Sequence, residues 1–237
     1  MKPCIRSLQM LLRQIRLDNM LMLLCFLPLL IGGVFRFGIP YLETVLCTAL
    51  GTSAVLSGYY LLFDLFLAAF TPYFLVFLSA MILLSEADEH IAVYLAVTPV
   101  HRRGYLLSRL LVPAMLSMLV SAALMACCSL TRWTVWGAAL ACLLSALLCL
   151  PVAMLIVTYS HNRVEGMALA KLAGLLLFGL PVPFFLTGGL QYLFAWLPSF
   201  WVAKAFQSPD AWAAAAAIAV SAAWIAIQYR RFARKLL

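Results

Sequence analysis

Ser85-Glu-Ala-Asp-Glu-His-Ile-Ala-Val-Tyr-Leu-Ala-Val-Thr-Pro-Val-His-Arg-Arg-Gly-Tyr-Leu-Leu-Ser-Arg109 is the longest polar-bearing interruption in an otherwise apolar chain. It carries three of the eight acidic residues and three of the sixteen basic ones. On either side the chain runs about twenty residues without a charge, enough to cross a bilayer as a helix. The stretch therefore reads as a short amphipathic helix set between two membrane spans and exposed on one side of the membrane. Ser85 followed by Asp88 has the form of a capping box, with Asp in the Glu/Gln role, which predicts a helix start. Glu86, Asp88 and Glu89 then fall in its first turn, favourable against the helix dipole. Ile91, Tyr94, Leu95 and Val97 supply an apolar face. Thr98-Pro99 ends the helix, because the residue before a proline avoids the α region. His101, Arg102 and Arg103 lead into the next span. A plain connecting turn needs none of this.

Composition sets the solvent. The chain has 237 residues, 66% hydrophobic and 10% charged, with mean hydropathy +1.07. A soluble domain is about half apolar and a quarter charged, so lipid must take up the apolar surface, and the fold class is all-α integral membrane. The net charge of +8 fits basic loops that fix orientation in a membrane better than a nucleic-acid partner. Seven cysteines without a CxxC pair read as small buried hydrophobes rather than disulfides or metal ligands. No cleavable signal peptide is expected, since the first apolar run follows a long basic segment and lacks an A-x-A-like exit.

Uncharged runs occupy residues 21–35, 44–63, 65–85, 110–131, 133–159, 172–203 and 211–229. Both ends of the chain are basic, which places both in the cytoplasm and demands an even number of crossings. The run 44–63, rich in Thr, Ser and Gly, is the weakest and reads as a re-entrant or interfacial outer segment. Six transmembrane helices remain in a single transmembrane domain, 1–237. Residues 1–19, with Arg6, Arg13 and Arg16 among apolar positions at helical spacing, form an N-terminal interfacial helix. This topology puts thirteen basic residues inside against Arg36, Arg132 and Lys204 outside.

The run 172–203 is too long for one span, and Gly179, Pro181, Pro183, Gly188 and Gly189 break it. The expectation is a span over about 167–185 and then an outer re-entrant hairpin, 186–209, before the sixth span, with Tyr192, Trp196 and Trp201 near the interface. Catalytic patterns are absent: no GxxxxGK[ST], GxSxG or HExxH occurs. His90, His101 and His161 lack ligand spacing, so no metal or catalytic site is expected. Lys171 reads as a snorkelling residue or a charged lining at an inner mouth. Asp64 and Glu43 read as rim partners of Arg36 and Arg132. Small residues at Ala138, Ala141, Cys142, Ser145 and Ala146, and in the alanine run 211–217, allow close helix contact.

The pattern Glu86-x-Asp88, Leu95-x-x-Thr98-Pro99 and Tyr105-Leu106-Leu107-x-Arg109 resembles the cytoplasmic signature of type-2 ABC exporter permeases, and the whole chain is similar to small drug-export permeases of the fluoroquinolone kind. His90 and Gly104 depart from that pattern. The resemblance implies a non-catalytic permease subunit in the cell membrane with both termini cytoplasmic. Two ABC ATPase subunits and a second permease copy or paralogue are its implied partners, besides membrane lipid. It implies no cofactor on this chain, with ATP and Mg held by the partner ATPase. Segment 86–105 would carry the coupling helix, and Glu86, Asp88, Glu89, Tyr94, Thr98, Pro99, Arg102 and Arg103 would meet the ATPase. Pro181, Pro183, Gly188, Gly189 and Pro198 are candidates for an outer gate. The expected function is export of an amphipathic or apolar compound (drug, lipid-like or peptide), because few fixed charges line the spans. The alternatives are a non-transporting anchor or assembly subunit, and a polytopic membrane enzyme.

Overall fold

Asp18 starts the first helix. Its carboxylate accepts from the Met20 and Leu21 amides at 3.0 and 3.4 Å, meeting donors that a helix N-terminus leaves without intrahelical partners. α1 (Asn19–Gly33) passes through a π turn (Val34–Gly38) into α2 (Ile39–Leu50) without leaving the helical path. The computed structural model describes residues 18–88, 101–186, 188–208 and 210–236, all helix or connecting turn with no strand among them. The expected interfacial helix therefore lies almost wholly outside the described residues.

The 32 residues Asn19–Leu50 extend about 48 Å at 1.5 Å per residue, against a hydrocarbon core of about 30 Å. This corrects two expectations. The span 21–35 is only the first part of a longer helix, and the segment 44–63 is not re-entrant. Residues 44–50 complete the helix, Gly51 ends it at φ +65°, and 60–63 open the next one. The Thr44 and Thr48 hydroxyls, which suggest a loop in sequence, donate to the Tyr41 and Val45 carbonyls at 2.7 and 2.8 Å. A hydroxyl satisfied on its own helix does not oppose helix formation in lipid. The connection is held by Glu43, which accepts from the Val55 and Leu56 amides at 3.0 and 2.6 Å.

α3 (Tyr60–Asp88) is the centre of the bundle, with 89% of its apolar window buried. It packs against α1, α4 (His101–Cys128), α5 (Val135–Tyr159) and α6 (Arg163–Ala173). Ala68, Ala69 and Ala80 are fully buried and let neighbouring backbones approach. Pro72 inside α3 removes an amide and frees the Ala68 carbonyl four residues back. Ser121 of α4 fills the vacancy, donating to Ala68 O at 3.1 Å, and Cys149 of α5 reaches Ala69 O at 3.7 Å. The break in the helix is thus repaired by its neighbours. By contrast only 17% of the Asn19–Leu50 window and 22% of that of α9 (Ala211–Leu236) is buried, so these helices sit at the periphery.

Among the described residues five helices are long and apolar enough to cross a membrane: Asn19–Leu50, Ser57–Glu86, Leu110–Cys128, Val135–Tyr159 and Ala211–Phe232. The expected fifth of six spans is not a single helix. It comprises α6, a 3-10 turn (Gly174–Gly179) and α7 (Val182–Phe185), broken at Pro181. A second 3-10 turn (Gly189–Phe194) and α8 (Pro198–Gln207) follow. Ser199 Oγ of α8 donates to the Leu176 carbonyl, and Gln207 Nε2 to the Pro183 carbonyl at 2.7 Å. Both pairs run in the same chain order, so α8 lies parallel to 176–183. The stretch between them doubles back along the bundle.

Candidate functional site

Polar groups gather at the two ends of the bundle. At the basal end, where α1 begins, the expected helix start at Ser85 is corrected. Ser85 lies inside α3 and its hydroxyl donates to the Met81 carbonyl at 3.1 Å. Glu86 follows in the same helix, 2% exposed, and Asp88 is the last described residue of α3. Arg102 and Arg103 lie in α4. Glu89, Tyr94, Thr98 and Pro99 lie outside the described residues.

The capping arrangement read at Ser85 occurs instead at the start of α6. Asn162 Oδ1 accepts from the Glu165 amide at 2.9 Å, while Glu165 Oε2 accepts from the His161 amide at 2.7 Å. The Asn162-x-x-Glu165 spacing is a legible N-terminal signal that the sequence reading did not use. It aims Arg163 at Asp18, an ion pair of 2.6 Å that joins α6 to α1. The hydrogen bond from Arg163 holds the Asp18 carboxyl below its ordinary range. Gly166 has no side chain because Leu84 and Met81 of α3 stand 2.5 and 2.7 Å from where its Cβ would be. Arg231 of α9 donates to the Tyr159 hydroxyl of α5 at 2.6 Å. The end of α3 that carries Glu86 is therefore packed on the starts of α1 and α6.

At the distal end the five proposed gate residues occupy the joints of one hairpin. Pro181 precedes α7 and Pro183 lies within it, Gly188 at φ +80° and Gly189 begin the return, and Pro198 opens α8. Gln191 ties the turn, donating to Gly188 O at 2.9 Å and accepting from Lys204 Nζ at 3.2 Å. Trp224 Nε1 of α9 donates to Trp196 O at 3.0 Å, with the two indoles stacked at 6.1 Å. A Cβ at Gly179 would collide with Ser199 Oγ and stand 2.7 Å from the Phe200 amide nitrogen.

The expected rim ion pairs do not form. Asp64, fully buried, accepts from the Leu130 and Thr131 amides at 2.8 and 2.9 Å, from Trp133 Nε1 at 2.9 Å and from the Thr131 hydroxyl. Glu43 takes its own loop amides. Arg36 donates to the Ser129 carbonyl at 3.1 Å. Lys171 is exposed in the last turn of α6. Among the described residues no group of three His, Cys, Asp or Glu is placed to hold a metal.

A buried helical core with long apolar helices around it defines a multi-pass membrane protein. A family model described as "Fluoroquinolones export permease protein Rv2686c-like" matches residues 11–229, and the chain belongs to that family of export permeases. It is 26% identical over 192 residues to the fluoroquinolones export permease proteins Rv2686c and MT2760 of Mycobacterium tuberculosis strains H37Rv and CDC 1551, covering 80% of this chain and 75% of theirs. The similarity to small drug-export permeases is thereby borne out. No solved structure gives a significant match.

Proposed function

We propose that this chain is the transmembrane subunit of an ABC exporter, moving an amphipathic or apolar compound out of the cytoplasm with ATP hydrolysed by separate subunits. The observation that carries the reading is that the most buried helix, α3, runs directly into segment 86–105. A partner pressing on that segment displaces the element on which α1, α4, α5 and α6 all pack, which is what rigid-body gating requires. The basal end is then cytoplasmic, with both termini on that side. The broken stretch Arg163–Phe185 makes the sixth crossing, and segment 186–209 is a re-entrant outer hairpin whose joints form the gate. Two ATPase subunits and a second permease, identical or paralogous, complete the assembly. Family membership makes a fluoroquinolone the first substrate to try.

The test is purification of the tagged chain from its own cells in mild detergent, followed by ATPase assay and uptake of a fluorescent fluoroquinolone into inverted vesicles. The expected result is a co-purifying ATPase whose activity the compound stimulates. Reversal of Asp88 and Glu89 to lysine lowers coupling about tenfold or more, the scale of a broken interfacial charge contact. Glu86 is unsuitable for that test because its burial makes reversal a folding defect. A chain that purifies alone and supports no uptake overturns the proposal in favour of the anchor reading.

A further inference from the structure

The guanidinium of Arg132 makes no hydrogen bond or ion pair among the described residues. It stands on an open cleft of about 800 Å³ at the distal end, formed by the last turns of α4, the 129–134 loop and the first turn of α5. Arg36 of the π turn lines the same cleft, and both arginines are exposed. The nearby acid, Asp64, cannot neutralise them from the cleft. It is buried beneath the loop with its oxygens committed to four donors. The N-terminus of α5 adds partial positive charge.

The remainder of the wall is apolar, with Ala122, Met125 and Ala126 on α4 and Ala138 and Ala139 on α5. That wall continues down α4. Met115, Leu119, Ala122 and Ala126 follow helical spacing on one face, and Met115 and Leu119 are each 69% exposed. From Met115 to Ala126 the helix rises about 16 Å, close to half of a hydrocarbon core of about 30 Å. The stripe is therefore as deep as one leaflet. Trp136, 86% exposed beside the cleft, suits the headgroup level at which interfacial tryptophans settle.

We propose that this cleft binds one anionic phospholipid, with its phosphate between Arg36 and Arg132 and its acyl chains along the exposed face of α4. Two guanidiniums are suited to a phosphate group by their forked donors, and the apolar stripe below them excludes a free anion as the better ligand. The inference rests on the chain being a multi-pass membrane protein and is independent of what it exports.

Native mass spectrometry of the full chain, equilibrated in detergent with phosphatidylglycerol, phosphatidylcholine or inorganic phosphate, tests this. One phosphatidylglycerol should be retained in preference to phosphatidylcholine. R132Q should lower that retention about tenfold, the loss of one charge-assisted contact, and R132K should restore part of it. R36Q should act in the same direction, but it also removes the bond to Ser129, so the partnerless Arg132 is the decisive position. R230Q, an exposed arginine at the opposite end, should change nothing. Equal retention of the two lipids, or wild-type retention by R132Q, overturns the proposal. Displacement of the lipid by millimolar phosphate also overturns it and marks a small-anion site.

Discussion

Asp64 shows how one side chain can organise a connection between spans. It sits in the second turn of α3, yet all four of its donors belong to residues 130–133. Asp64→Ala strands those donors and should cost at least about 3 kcal/mol, since bonds to a charged group contribute roughly 1.5–3 kcal/mol each. Thermal unfolding in detergent would register the loss, and faster tryptic cleavage after Arg132 would place it in the loop. Unchanged melting and cleavage would show that the loop is held by packing instead. Two glycines make a complementary pair. At Gly179 a methyl group meets the Phe200 backbone nitrogen, which cannot yield without moving α8. At Gly166 it meets only the flexible ends of Leu84 and Met81. Gly179→Ala should therefore destabilise by about 1–3 kcal/mol or more and Gly166→Ala by clearly less. The reverse order in melting temperature would contradict the hairpin packing.

At the level of elements, pairing at the basal end depends on pH. The folded Asp18 carboxyl is more acidic than the unfolded one because Arg163 bonds it. Its contribution is fully present above the unfolded value of about 4 and is lost as pH falls through the lower folded value. The stability difference between wild type and R163Q should be constant from pH 7 to about pH 5 and narrow below about pH 4. A difference that persists undiminished to about pH 3 would rule out the ion pair as its source. The same scale shows what could be read from sequence. The break at 174–198 was legible because glycine and proline act through local backbone geometry, and the structure places breaks at those residues. The position of Ser85 inside α3 was not. Ser85 meets the capping pattern, yet nothing before it stops α3, and its hydroxyl finds the Met81 carbonyl instead. The thirteen-residue register of Glu43 against Leu56 is a tertiary fact that no local pattern encodes.

For the whole molecule, lipid as solvent was evident from composition. Which helix lies at the centre was not. The helices Asn19–Leu50 and Ser57–Glu86 are equally apolar, but burial selects α3 through contacts with four neighbours, and hydropathy does not distinguish a protein-facing side chain from a lipid-facing one. The Asp64 tie also carries a consequence for synthesis. Its acceptor emerges 66 residues before its first donor, Leu130. At about 5–20 residues per second the carboxylate waits roughly 3–13 seconds in water at the membrane surface before residues 130–133 arrive to cover it. Burial of Asp64 thus reports that the hairpin of α4 and α5 has been delivered, and a chain stalled before Leu130 leaves a bare acid on its central helix for the cell's quality control to find.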